Sequence, residues 1–529
     1  MNRHLVWGWM VVAAMGIGCD EEMTETDAGG GGGTDAGGAM DGGGEDASVA
    51  AVDCTMAVAD EWWTPPDDLP AFDESQRGVV IGCGVDDPLD AATVDERARM
   101  PLGAEPGEQG VYDGPTLTEG AAVTRVLYRS ERTNGDGGFG SGTLYLPAGA
   151  SDMPLIVHVS GTTGLADICA PSRGRFKDLE KTLYVLIGNG NAVFVPDLMG
   201  LGTPGSMAYL EATDAGHSVL DGARAALAAA PEGALNGDLL LSGHSAGGHA
   251  VLSAQALQRE YAPELSVLGV AALAGLWFDT EVFSELLTAP GYSTAGDDGW
   301  NVVYGAMYFI GHAAAYDGDD MAYGVIHPDR RDGIREAYEG YCTFPVEDGM
   351  MDLRQALAAH AATAGQVFDP GFQSDFVNRF WCDAGMLDRC PDRVLTWIDR
   401  FAADRPTLDP DGAPIWFHIG SDDARITPNS MRCPILEAEH DGVDTQTCYY
   451  DGVEHGPTAG VAAPWVSQWA QALGGGGDAP GCPDSTPFPF GDPTSCGITM
   501  PADAGAPAGS DAGVDAGMAP SDAGVDGGP

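Results

Sequence analysis

The sequence predicts an α/β protein: a mostly parallel sheet with helices on both faces and a helical insertion in its second half. Three observations carry this. Short apolar runs recur along the middle of the chain, amphipathic helical patterns fall between several of them, and residues 279–410 break that rhythm with helices alone. With 529 residues and a hydrophobic fraction of 44%, the chain can build a sizeable core.

The elements follow in order. "AAVTRVLYR" (121–129) and "GTLYLP" (142–147) bracket "SERTNGDGGFGS" and predict a hairpin. "PLIVHVSG" (154–161) is a nearly continuous apolar run, as a buried parallel strand would be. "AVFVPD" (192–197), "LLLSGH" (239–244), "LGVAALAG" (268–275), "PIWFHIG" (414–420) and "QTCYYDG" (446–452) read likewise. Helices are expected over 215–230 and 246–261. In the insertion, "WNVVYGAMYFIGH" (300–312) places Trp300, Tyr304 and Tyr308 on one helix face. That stripe is expected to serve ordinary packing; contact with an acyl chain is a second reading compatible with it.

Around this core the expected organisation is as follows. Residues 1–19 form an export signal, with a basic start at Arg3, an apolar run, and Gly18-Cys19. Lipid attachment at Cys19 is expected, simple secretion being the alternative. Residues 20–52 and 501–529 are Gly/Asp/Ala-rich and too poor in apolar side chains to fold. Residues 53–278 and 411–475 make the two parts of the α/β domain, 279–410 its helical cap, and 476–500 a cysteine-containing extension.

The net charge is −55, with only two lysines, Lys177 and Lys181. Such a field argues against nucleic acid and anionic membrane surfaces as partners. Membrane association is therefore expected only through the lipid anchor. Beyond Cys19, ten cysteines remain, an even set that in an exported chain implies disulfides. Nearness in sequence makes Cys54–Cys83, Cys382–Cys390, Cys433–Cys448 and Cys482–Cys496 the simplest pairs, leaving Cys169–Cys342. No C-x-x-C spacing suggests a metal, and "DGDD" (317–320) lacks the spacing of a calcium loop. No cofactor is expected.

The chemistry centres on "LLLSGHSAGGHA" (239–250), with Gly243-x-Ser245-x-Gly247 between an expected strand and an expected helix. This is the pattern of a nucleophile elbow. Glycine is so frequent here that the pattern alone means little; the strand before it and the helix after it give it weight. Gly243 and Gly247 leave room for a sharp turn, and the Ala246 amide at the helix start can donate to an oxyanion. A serine nucleophile needs a base and an orienting acid. Of the later histidines, only His455 lies in a loop-like "DGVEHGPTAG" following a strand near the end of the domain. His249 is expected to pack within the elbow helix and His418 lies inside a strand. The acid is expected at Asp423, after "PIWFHIGSDD", with Asp422 in reserve. The loop "SGTTG" (160–164) should supply a second oxyanion donor, the Thr162 amide.

"SGTTGLADICAPS" (160–172), "VPDLMGLGTPG" (195–205), "SGHSAGGHA" (242–250), "GSDDARITP" (420–428) and "GVEHG" (452–456) together resemble the secretory lipases of the α/β-hydrolase superfamily, as a bacterial member, over roughly residues 120–473. The resemblance implies an α/β-hydrolase fold with a helical cap, and ester hydrolysis, often of lipid esters, through Ser245, Asp423 and His455. It favours Asp423 over Asp422, because the acid of that family is fourth in a G-x-x-D turn, here Gly420 to Asp423. One departure stands out: Ser160-Gly161 precedes the two threonines where the family usually has His-Gly, and His158 lies two residues earlier, inside the strand. This leaves substrate preference open. A peptidase or acyltransferase on the same triad, or a non-catalytic surface-binding lipoprotein, are the competing readings.

Overall fold

A computed structural model describes residues 54, 62–100, 112–173, 181–277, 280–296, 299–346, 350–475, 477–482 and 485–498. The expected signal and Cys19, the spacer 20–52 and the tail 501–529 lie outside the described residues. Among the described residues nine strands form one sheet: β1 (Val80–Leu89), β2 (Ala121–Glu131), β3 (Gly137–Leu146), β4 (Met153–Val159), β5 (Ala192–Asp197), β6 (Leu235–His244), β7 (Ser266–Leu273), β8 (Ile415–Gly420) and β9 (Thr445–Tyr450). Their spatial order is β1-β2-β3-β5-β4-β6-β7-β8-β9. The first three pair antiparallel, β3 pairs antiparallel with β5, and every pair from β5 to β9 is parallel.

The strands run apolar on both sides because both sides are covered. Leu155, Val157, Leu239, Leu241, Val270, Ala272, Ile415 and Phe417 face one core. Ile156, Leu240, Ala271, Leu273 and Trp416 alternate to the other. The second face is covered by α1 (Ala91–Arg99), α2 (Lys181–Gly188) and the C-terminal helix, which supplies Trp465 and Trp469. The first face carries α3 (Ala212–Ala229) and α4 (Ala246–Tyr261), and the cap packs into the same core.

The cap holds α5 (Glu285–Thr288), α6 (Gly299–Asp317), α7 (Arg331–Gly340), α8 (Leu353–His360), α9 (Ala364–Val367), α10 (Pro370–Val377), α11 (Phe380–Asp383) and α12 (Asp392–Ala403). Its described residues contain isolated bridges and no strand of the sheet. After β8 come α13 (Pro428–His440), β9 and α14 (His455–Gly474).

The eight expected strands are present within a few residues of their expected ends. β1, α1, α2, α13 and α14 are not among the named expectations. β1 is an edge strand containing Gly82, Gly84, two aspartates and Pro88, a composition that hides a strand and is tolerated at an edge. "KTLYVLIG" of α2 is buried all round, so it has no polar face to reveal a helical period.

Five disulfides are formed among the described residues. Cys54–Cys83, Cys169–Cys342 and Cys382–Cys390 agree with the sequence expectation. The other two correct it: Cys433 pairs with Cys496 and Cys448 with Cys482, not Cys433 with Cys448 and Cys482 with Cys496. The reason is layering. Cys433 lies on α13, whose Met431, Ile435 and Ala438 pack into the first core, whereas Cys448 points into the second core beside Trp465. The sheet separates them, and the extension 476–500 brings Cys482 and Cys496 back to opposite sides.

Buried polar groups knit the cap together and join it to the core. Within the cap, Asp404, just beyond α12, accepts hydrogen bonds from Thr280 Oγ1 (2.8 Å), His312 Nε2 (2.9 Å) and the Tyr308 hydroxyl. Beside this cluster, Glu211 at the start of α3 accepts from the Tyr316 hydroxyl of α6 (3.0 Å), Thr133 Oγ1 (3.2 Å) and the Asp214 amide (2.7 Å). Burial, with the Asp214 carboxylate adding to it, pushes the Glu211 carboxyl up to about 7. Asp404 pushes in the same direction and His312 opposes it.

The folded state thus holds the Glu211 proton more tightly than the unfolded chain does. Its contribution to stability is full at pH values below the ordinary glutamate range and is lost as pH rises through about 7. Glu211→Gln keeps a neutral group at every pH. Between about pH 5 and 8 its urea-unfolding free energy should fall less than that of the parent, the difference growing by on the order of 2 kcal/mol. Parallel profiles for the two proteins would refute this.

Candidate active site

Ser245 sits between the end of β6 and the start of α4 with φ 56° and ψ −118°, a conformation that non-glycine residues rarely hold. Its amide donates to the Leu273 carbonyl (3.0 Å), tying the turn to β7. The flanking glycines are required by close backbone approach. A Cβ on Gly243 would lie 2.1 Å from the Gly247 carbonyl oxygen, and one on Gly247 would lie 2.1 Å from the Val159 carbonyl oxygen.

Parallel pairing then assembles the rest. β6 lies between β4 and β7, and β8 and β9 follow, so the loops leaving their carboxyl ends share one edge of the sheet. His455 Nε2 is 2.9 Å from Ser245 Oγ, and His455 Nδ1 is 2.8 Å from Asp423 Oδ2. A carboxylate only accepts, so Nδ1–H donates to Asp423 and Nε2 is left to accept from the serine hydroxyl. The other carboxylate oxygen of Asp423 accepts from the Arg425 and Ile426 amides, both at 2.8 Å, and its side chain is fully buried. Asp422, the reserve acid, is exposed and accepts instead from the Ser421 hydroxyl (2.9 Å). His455 is the first residue of α14 rather than part of a loop; Pro457 in that first turn is the signal for the helix start.

The two expected oxyanion donors border one small cleft, lined also by Gly161, Leu198, Leu201, Met207 and Tyr209. The loop 160–164 passes close to the elbow: a Cβ on Gly161 would lie 3.1 Å from His244 Nδ1 and 3.7 Å from Ser245 Cβ. Ala246 opens α4, where amides have no partner within the helix and the helix dipole favours negative charge. Thr162 Oγ1 hydrogen-bonds the Tyr209 hydroxyl (2.8 Å). Among the described residues no group of histidine, cysteine and carboxylate side chains could hold a metal.

The remaining histidines divide. His249 Nε2 donates to the Asp404 carbonyl (2.7 Å) inside the core, His418 Nδ1 pairs with the Tyr450 hydroxyl (2.8 Å), and His158 Nδ1 pairs with Ser242 Oγ (3.2 Å). His244 has no role in the sequence reading, yet its Nε2 donates to the His455 carbonyl (3.2 Å) and its ring lies 4.9 Å from the His455 ring. Burial, helped by the nearby His455, pulls it down to about 3 and keeps it neutral. Its position directly before the serine was the available signal. The aromatic stripe also splits: Tyr308 is core, stacked 4.9 Å from Phe283, whereas half-buried Trp300 stacks on Tyr304 (5.6 Å) and faces Phe344 (6.4 Å).

The elbow geometry gives a direct test. Gly243→Ala and Gly247→Ala should each destabilise the fold by at least about 2 kcal/mol, because the added carbon meets backbone that cannot yield. Gly340→Ala, where a Cβ meets open space, should change stability by under about 0.5 kcal/mol. Thermal unfolding checks this; equal midpoints for all three variants would contradict it.

Residues 177–285, which include Ser245 and its flanking elements, match the family model described as Secretory lipase. No curated protein matches the chain. Among solved structures, the chain is similar to the rice cell wall degrading esterase LipA from Xanthomonas oryzae (TM-score 0.54, 16% identity, 74% of this chain and 96% of that one). It is also similar to Candida antarctica lipase A (TM-score 0.53, 17% identity, 84% and 89%) and to a putative hydrolase from Legionella pneumophila (TM-score 0.55, 17% identity, 74% and 97%). At these identities the likeness is one of fold. The chain thus has the α/β-hydrolase fold, and its segment 177–285 matches the Secretory lipase family model.

Proposed function

We propose that this protein hydrolyses carboxylic esters through an acyl-enzyme on Ser245. The observation that carries the reading is His455 bridging Ser245 Oγ and the buried Asp423 carboxylate at 2.9 and 2.8 Å. His455 Nε2 takes the serine proton as Oγ attacks the ester carbonyl. The developing oxyanion is held by the Thr162 and Ala246 amides. His455 then returns the proton to the leaving alcohol, and the same base activates the water that releases the acid. Asp423 fixes the imidazole tautomer. Trp300, Tyr304 and Phe344 offer an aromatic surface for the acyl part. We also propose export, with Cys19 as the lipid anchor. Five disulfides support an oxidising compartment, and no described helix is long and apolar enough to cross a membrane.

Hydrolysis of p-nitrophenyl esters of graded acyl length tests the reading. Ser245→Ala should lower kcat by at least about 10³-fold. Asp423→Asn should cost about 10³-fold or more, while Asp422→Asn stays within about twofold. Undiminished turnover in Ser245→Ala would overturn the nucleophile; equal losses at the two aspartates would overturn the acid. Turnover of aminoacyl amides with none of esters would point to a peptidase.

A further inference from the structure

The loop 160–164 leaves β4 at Val159, so the sheet no longer pairs its backbone. Two of its carbonyls find partners far away in the chain, both on one cap residue. Thr343 Oγ1 donates to the Thr162 carbonyl (2.8 Å), and the Thr343 amide donates to the Thr163 carbonyl (2.8 Å). Thr343 is fully buried. Its neighbour Cys342 forms the disulfide to Cys169, a few residues beyond that loop, and the Cys342 carbonyl accepts from the Leu353 amide (2.7 Å) at the start of α8. Gly164, at φ 139°, bends around that disulfide: a Cβ there would lie 2.7 Å from Cys169 Sγ and 3.3 Å from Cys342 Cα. A segment of the cap is therefore wedged against the loop, bonded to it and cross-linked just beyond it.

We propose that Thr343 is a positioning residue for the oxyanion hole, holding the peptide planes around Thr163 so that the Thr162 amide stays aimed at the ester oxygen. This rests on the reading of Ser245 as nucleophile and Thr162 as donor. The Thr162 side chain is held by Tyr209 and its carbonyl by Thr343, so its amide is the group available to substrate. Two glycines in five residues give the loop little stiffness of its own. A small error in donor aim weakens transition-state stabilisation far more than ground-state binding, because charge on the oxygen develops only during attack.

The test compares Thr343→Val with Thr343→Ser on a short-chain p-nitrophenyl ester. Valine keeps the shape and the amide bond and removes only the hydroxyl. It should lower kcat about tenfold with KM within about twofold, while serine restores kcat to within about twofold of the parent. Affinity for an alkylboronic acid, whose tetrahedral adduct carries the same oxyanion, should fall by a similar factor in the valine variant. If Thr343→Val does not fold, Thr343→Ala against Thr343→Ser gives the same contrast. Unchanged kcat in the valine or alanine variant, or equal losses in it and serine, would overturn the inference while leaving the esterase reading intact. Absence of ester hydrolysis by the parent itself would overturn both.

Discussion

The site depends on one close approach of backbone to backbone. The first turn of α4 lies so near the end of β4 that no side chain fits at Gly247, and the same crowding meets Gly243 from the other side. That contact forces the chain through a sharp reversal at Ser245, leaving it at a positive φ with its hydroxyl clear of both elements. It also brings the loop after β4 alongside the serine. Ser245 and the loop 160–164 are therefore set by the same packing, and the strain at Ser245 is sustained by the buried apolar strands on either side.

The sheet supplies everything else by register. Because β6, β7, β8 and β9 are parallel neighbours, residues far apart in sequence leave the sheet at one edge. Asp423 and His455 need only short loops to reach the serine. The cap contributes differently. It contacts the core through Asp404, Glu211 and the Cys169–Cys342 bridge, so it is bonded to the segment after β4 on one side and to α4, through His249, on the other.

Much of this was legible in the residues. The buried parallel strands announce themselves as apolar runs, and the G-x-S-x-G turn, the acid after β8 and the histidine after β9 follow in the order that the fold requires. What was hidden has physical reasons. β1 is an edge strand with glycine and proline, and α2 is apolar on all sides. Two disulfides were misassigned because nearness in sequence ignores the sheet between Cys433 and Cys448. His244 and Thr343 act through backbone carbonyls, His455 for the first and Thr162 for the second. No residue pattern encodes a partner that any amino acid could present.

The central claim is that Ser245 is a covalent nucleophile. Mass-spectrometric mapping of a fluorophosphonate adduct on the intact protein tests it most directly. The account predicts one adduct per chain, on the peptide carrying Ser245, and its loss in His455→Ala. An esterase-active protein that carries its adduct on another residue, or that reacts equally well without His455, would contradict it.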